Sequence, residues 1–233
     1  MNILSCDTST EFMHLCLARL EEGKKPFFEK QVLTSGNQHS ELLVVRILSL
    51  CERNNMQFKD LDLLVCTSGP GSFTGLRIAM STLKGISLGS HIPMVSIPTL
   101  QAYQACNRSE SHAILAVIDA KKKRFYAALF KDGVQLSPEL DLEVGQIESL
   151  LAPYPDALLV GNDAALLATK LSKPYRFDEI SHLNLSLVLC TLGKEKFERF
   201  GADDLDNGPL YVRKSDAEIA LQQTISSLEE THD

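Results

Sequence analysis

Basic residues are in the minority: 23 lysines and arginines stand against 30 aspartates and glutamates in 233 residues, a formal charge of −7. A protein that grips nucleic acid by itself ordinarily carries a basic face, so autonomous RNA or DNA binding is disfavoured. Long apolar runs are missing too. The stretch 85–107 has no Asp, Glu, Lys or Arg, but Pro93, Pro98 and several polar side chains exclude a spanning helix. No basic lead precedes the apolar start and Asp7 interrupts it, so a secretory leader is not expected and a cytoplasmic location is. Cys6, Cys16, Cys51, Cys66, Cys106 and Cys190 form no Cys-x-x-Cys pair and mostly sit in apolar contexts. Buried reduced thiols fit that usage; a zinc site or a disulfide frame does not. The six histidines form no His-x-x-x-His or His-Glu-x-x-His pair, which removes a two-ligand helical zinc site, and no Gly-x-Ser-x-Gly elbow is present. His14 lies inside an apolar strand and reads as a core histidine with its nitrogens satisfied.

What is present is apolar sequence in strand-length and helix-length pieces, in a chain long enough for one large or two small domains. Strands are expected over 2–8, 12–20 and 27–33, then a helix started by Ser35, Gly36 and Asn37 and running to Arg53. Strand 63–67, helix 72–88, strand 93–97 and helix 99–106 follow. After a polar break at 107–111, strand 113–119 ends in Asp119. A basic turn (Lys121, Lys122, Lys123, Arg124) leads to strand 125–130. This repeats the opening, where a strand ends in Asp7, turns, and continues as a second apolar strand. Two halves that begin alike suggest duplication of one α/β unit. Strand 158–160 and helices over 163–171 and 183–200 complete the second half. A capping box at 215–218 then opens a helix with Ala217, Ala220, Leu221, Thr224, Ile225 and Leu228 on one stripe.

The sharpest local signal is 67–77, Thr-Ser-Gly-Pro-Gly-Ser-Phe-Thr-Gly-Leu-Arg, between an apolar strand and a helix. A tight turn aimed at a helix N-terminus favours an anion. Yet the spacing of Gly69, Gly71 and Gly75 matches neither the Walker loop nor the dinucleotide fingerprint. The other reading is structural: Gly69 and Gly71 permit the turn, Pro70 stiffens it, and Ser72 caps the helix, with Thr74, Gly75 and Arg77 in its first turns. Asp7 and Asp119 end equivalent strands; each either caps its turn or holds a metal–phosphate. The helix to Arg53 is apolar around most of its circumference, and the next has small residues (Gly75, Ala79, Thr82, Gly85, Gly89) among large apolar ones. Either both helices are central in the domain, or one face of each meets a partner chain.

Four segments carry a resemblance: 3–10 (Ile-Leu-Ser-Cys-Asp-Thr-Ser-Thr), 68–77 (Ser-Gly-Pro-Gly-Ser-Phe-Thr-Gly-Leu-Arg), 93–100 (Pro-Met-Val-Ser-Ile-Pro-Thr-Leu) and 209–213 (Pro-Leu-Tyr-Val-Arg). In order and in content they are similar to the TsaB (YeaZ) family. The resemblance implies a duplicated actin-like fold (ASKHA, RNase H-like) of the α/β class, with two mixed-sheet subdomains and flanking helices. It divides the chain into 1–108, an N-terminal subdomain carrying partner-binding helices; 109–213, a C-terminal subdomain; and 214–233, a C-terminal helix. It implies a role in making threonylcarbamoyladenosine at position 37 of tRNA. In that pathway a separate enzyme makes threonylcarbamoyl-adenylate, a TsaD subunit transfers the threonylcarbamoyl group, and a TsaE ATPase joins the pair.

Where TsaD proteins carry a His-x-x-x-His metal pair, this sequence has Thr99 and Tyr103, so the resemblance implies a non-catalytic partner with no metal site. The implied interface is the helix pair, with His39, Leu42, Leu43, Arg46, Ile47 and Leu50 on the first helix and Phe73, Leu76, Met80 and Leu83 on the second. A TsaD-like subunit and a TsaE-like ATPase are the expected partners, tRNA contact is indirect or weak, and the isolated chain is open to homodimer formation. No cofactor is required of this chain, with ATP or ADP at the partner interface left open. Two rival readings remain: an active nucleotide-binding enzyme using Asp7 and Asp119, and a homodimeric regulatory protein with no tRNA role.

Overall fold

The computed structural model describes residues 1–34, 38–107, 113–178 and 180–213. The expected helix opening at 35–37, most of the polar break after Asn107, and the helix expected from the capping box at 215–218 lie outside the described residues.

Eleven strands and six α-helices are present among the described residues. β1 (Asn2–Asp7), β2 (Phe12–Arg19) and β3 (Phe27–Thr34) form an antiparallel meander. Helix α1 (His39–Arg53) crosses to β4 (Leu63–Gly69), and α2 (Phe73–Ser90) crosses to β5 (Met94–Pro98). Both new strands lie parallel to β1, so the first sheet has the order β3-β2-β1-β4-β5. After α3 (Thr99–Ala105) the pattern starts again. β6 (Ile114–Asp119) pairs antiparallel with β7 (Arg124–Lys131). β7 is flanked by the short β8 (Val134–Gln135) and β9 (Leu140–Glu143). Helix α4 (Val144–Leu151) leads to β10 (Leu158–Val160), parallel to β6, and α5 (Ala164–Ala168) to β11 (Arg176–Phe177), parallel to β10. Each sheet thus has a central founding strand, an antiparallel neighbour on one side and parallel neighbours on the other. This is the duplicated actin-like, RNase H-like fold.

Burial follows the layers. The outer face of the first sheet (Leu4, Met13, Leu15, Leu17, Leu64) is covered by Leu43, Ile47 and Leu50 of α1 and Ala79, Met80 and Leu83 of α2. The outer face of the second (Leu115, Val117, Phe125, Leu159) is covered by Ile147, Leu151 and Leu167. A third cluster joins the inner faces of both sheets through α3 and the last helix, α6 (Leu185–Phe200). Although it follows β11 in sequence, α6 packs on β1, β2, β4 and β5 of the first sheet. Ser5 Oγ donates to the Ser186 carbonyl at 2.6 Å, and Ser186 Oγ to the Leu15 carbonyl at 3.2 Å. By its packing, this part of 109–213 completes the N-terminal half.

His14 departs from expectation. It is fully buried on β2, as the apolar pattern predicts, but neither ring nitrogen has a protein hydrogen-bond partner. Its ring lies 6.4 Å from that of His182 and 5.9 Å from that of Phe12, so its neighbours offer packing instead of acceptors. Burial, then the nearby His182 and Lys30, push its pKa down to about 3. The unfolded chain restores the ordinary value near 6.5, so between these values the unfolded state binds more protons. Stability contributed by the neutral imidazole is lost as pH falls below about 6.5, by about 1.4 kcal/mol per unit. Asp7, whose pKa burial raises, acts in the opposite direction at acid pH. Replacing His14 by Leu is therefore expected to reduce the stability lost between pH 6.5 and pH 5 by about 2 kcal/mol, read from urea unfolding at the two pH values.

Candidate functional site: the cleft and the outer helix pair

The glycine turn is built by close approach of backbones. Gly69 has φ +113°, a region closed to residues with a side chain, and a Cβ there would lie 2.5 Å from the Leu210 carbonyl oxygen. A Cβ on Gly75 would fall far inside contact distance of the Thr8 carbonyl oxygen. The Gly69–Pro70 peptide is cis. Ser72 is the N-cap of α2, its Oγ accepting from Gly75 N at 3.2 Å, as the sequence predicts. Ser72 N donates to the Ser9 carbonyl at 2.6 Å, and Leu76 N to the Ser72 carbonyl at 2.9 Å. The β1–β2 turn thus takes up Ser72 N and the cap takes up Gly75 N, two of the amides that an anion cradle would offer. The structural reading of this turn is the one the geometry favours.

The turn forms one wall of a cleft of about 870 Å³ between the two halves. Ser9, Thr10 and Glu11 of the β1–β2 turn and Pro70 to Gly75 lie on one side. Asp119 to Lys122 of the β6–β7 turn, Asn162 and Asp163 lie on the other, and Leu210 to Arg213 run along the mouth. Asp119 lies on the cleft wall. Its Oδ2 meets Lys121 Nζ at 3.0 Å, which raises the lysine pKa, and its Oδ1 accepts from Lys121 N. Asp163 accepts from Asp119 N at 2.8 Å, and burial raises its pKa.

Asp7 is a correction. It is fully buried beneath the β1–β2 turn, with Oδ1 accepting from Thr67 Oγ1 at 2.5 Å and from Ser9 N at 3.2 Å. It braces the strand ends and does not join Asp119 on the cleft wall. The wall groups able to hold a metal–phosphate are Asp119 and Asp163. No group of three His, Cys, Asp or Glu residues that could hold a metal ion stands among the described residues. Thr99 and Tyr103 are both buried on α3, and neither hydroxyl has a protein hydrogen-bond partner.

The last described segment locks the turn. Leu210 N donates to the Ser68 carbonyl at 2.6 Å. Tyr211 stacks on Phe73 at 4.3 Å between centroids, and Arg77 lies 4.0 Å over Phe73 while its Nε donates to Tyr211 Oη at 2.8 Å. Upstream, Asp203 accepts from Ser96 N and Oγ, both at 2.7 Å, and pairs with Lys196 at 2.5 Å. The sequence places Phe73 and Arg77 near the turn, but nothing in their spacing announces Tyr211 as their partner, 134 residues beyond Arg77.

The outer helix pair has the two apolar faces expected of α1, with the assignment of residues reversed. Leu43, Ile47 and Leu50, with Leu76, Met80 and Leu83 of α2, are buried against their own sheet and are not available to a partner. His39 is also buried, its Nε2 3.0 Å from the Thr10 carbonyl oxygen. Of the expected interface residues, Leu42, Arg46 and Phe73 keep partial surface. The outward apolar face is instead Val44, Val45 and Leu48, which are 45%, 60% and 44% exposed; on α2, Gly85, Leu88 and Gly89 are exposed too. The sequence shows that α1 has two apolar faces; which one meets the sheet is decided by the angle at which the helix lands.

The described helices include none long and apolar enough to cross a membrane. Residues 33–188 match the family model described as TsaD, tRNA N6-adenosine threonylcarbamoyltransferase. The chain is 31% identical over 170 residues to the tRNA threonylcarbamoyladenosine biosynthesis protein TsaB of Buchnera aphidicola subsp. Baizongia pistaciae, covering 69% of this chain and 74% of that one. With the TsaB protein of Bacillus subtilis it shares 26% over 228 residues, covering 94% and 96%. Among solved structures, YeaZ from Pseudomonas aeruginosa superposes with a TM-score of 0.73 at 21% identity, covering 90% of this chain and 99% of that one, a likeness of fold.

Proposed function

Because this chain belongs to the TsaB (YeaZ) family, we propose that it acts in tRNA threonylcarbamoyladenosine biosynthesis as a non-catalytic partner of a TsaD-like subunit. The observation that carries this reading is the outward stripe of α1. Val44, Val45 and Leu48 spend apolar surface on solvent although Leu43, Ile47 and Leu50 already satisfy the sheet. On α2, Gly85 and Gly89 are exposed and have open space where a side chain would be, so another helix can come close there. A bundle of this pair with two helices of the partner buries the stripe, and a second copy of the chain does so when the partner is missing. A TsaE-like ATPase joins the assembly in this reading, in the cytoplasm. The chain itself requires no cofactor, and any ATP or ADP sits at the interface with the partner.

The buried hydroxyls of Thr99 and Tyr103, and the capture of Ser72 N and Gly75 N within the chain, support a supporting subunit over an active enzyme. Co-expression with the TsaD homologue of the same organism is expected to give a stable pair. Modification of a tRNA transcript by that homologue, its ATPase and supplied threonylcarbamoyl-adenylate is expected to depend on this chain. Full modification without it would sink the reading. Clear micromolar ATP binding with turnover by the isolated chain would replace it with the enzyme alternative.

Gly85→Ala separates the two demands on α2. Alanine removes about 1 kcal/mol of helix cost and meets no neighbour, so the isolated chain should unfold at higher urea concentration. Pairing with the TsaD homologue should weaken in the same variant, measured by titration calorimetry.

A further inference from the structure

The β6–β7 turn and the Phe73–Tyr211 stack face each other across the mouth of the cleft, and the α1 stripe of Val44, Val45 and Leu48 is not part of its lining. We propose that this corner binds RNA, with the lysine turn on the sugar–phosphate backbone and the Tyr211–Arg77 cluster against an unstacked base. The inference rests on the proposed role in tRNA modification and adds a contact to it. Lys121, Lys122 and Lys123 are consecutive and exposed, and all three are left-handed, with φ of 60°, 53° and 63°. Glycine or asparagine adopts that backbone with less strain, so the turn's shape does not call for lysine. Three cations placed there against backbone preference point to a use for the side chains.

Lys121 is tied to Asp119, and Arg124 is spent on Asp141 and Glu143. Lys123 forms no ion pair among the described residues. Across the mouth, Arg77 engages two rings and a phenol hydroxyl instead of a carboxylate, which leaves its charge uncompensated. Tyr211 stays 36% exposed beside it. An exposed aromatic–arginine stack that faces lysines across a cleft can receive a base on one side and its phosphates on the other. Inside the cleft, Glu11, Asp119 and Asp163 oppose a free polyphosphate, so the ligand is held at the rim. The overall charge of −7 keeps this contact weak unless the partner subunit adds its own.

The test is fluorescence anisotropy of the full chain alone with a labelled anticodon stem–loop RNA across a salt series. Binding by the native chain is expected to weaken with salt. Lys122→Glu/Lys123→Glu should weaken it about tenfold at low salt and reduce the slope of log K against log salt by about one to two. Tyr211→Ala should cost about fivefold to a hundredfold, and Tyr211→Phe should bind like the native chain. Circular dichroism and pairing with the TsaD homologue monitor the fold of each variant. Unchanged RNA affinity in the folded lysine and Tyr211→Ala variants overturns the proposal. So does displacement of the RNA by equimolar ADP, which would assign the corner to a free nucleotide. Loss of partner pairing with RNA binding retained makes the corner a protein contact and overturns it as well. The titration uses the chain alone, so failure of the helix-pair interface leaves its outcome readable.

Discussion

Gly75→Ala should destabilise the chain by about 3 kcal/mol or more, or prevent it from folding, although it is among the mildest of substitutions. Alanine ordinarily improves a helix. Here the added methyl is driven into the Thr8 carbonyl oxygen, and relief requires the β1–β2 turn to part from α2. That turn holds Thr8 Oγ1 on the Gly75 carbonyl at 2.7 Å and the Ser9 carbonyl on Ser72 N. Losing it also opens the cleft wall. Equilibrium unfolding in urea, with Gly85→Ala as the matched control in the same helix, separates a site-specific clash from a general intolerance of alanine. A Gly75→Ala chain as stable as the native one would refute the close approach.

Val45→Lys/Leu48→Lys should abolish pairing with the TsaD-like subunit, by about a hundredfold or more, while the isolated chain keeps its stability. Both residues face solvent, and each new lysine gains a carboxylate one helical turn away, Glu41 for position 45 and Glu52 for position 48. In a packed bundle the same two charges are desolvated without partners, a loss of the size seen when interface hot spots are broken. Leu43 and Ile47 would be the wrong positions for this experiment. They are buried under α1, and a charge there unfolds the sheet before it tests any interface. Calorimetric titration of the folded double variant against the partner decides the matter; native-like affinity would move the interface elsewhere.

Much of the fold is legible in the sequence, and the missed parts share a cause. β1, β2, α1, α2 and β6 announce themselves through long apolar periodicity, and β1 and β6 both end in aspartate. β10 matches the strand expected over 158–160, but β8, β9 and β11 do not announce themselves: they are two to four residues long, too short for a period to register, and α4 opens on a Glu143–Gln146 box whose N-cap is a glutamate and not the usual serine or threonine. At the site, the glycine turn and Asp119 were visible because their chemistry is local. Asp163 carries no such local signal, because its partner Asp119 is 44 residues upstream. Asp7 and Asp119 look equivalent in sequence. Only packing separates them, since Thr67 beside Asp7 supplies a hydroxyl that draws one carboxylate inward.

The position of α6 has a consequence for how the chain is made. The inner face of the first sheet, with Ile3, Cys16, Val65 and Val95, is covered by a helix that ends at Phe200. Gly193 of that helix sits so close to Val65 that a side chain there would collide with the valine methyls. During synthesis the first half therefore leaves the ribosome with one apolar face bare, and it stays bare until almost all the described chain has emerged. A fragment ending at residue 108 is not a small domain but an unfinished one. The two halves, alike in topology, differ in this: the later half lends a helix, and the earlier one waits for it.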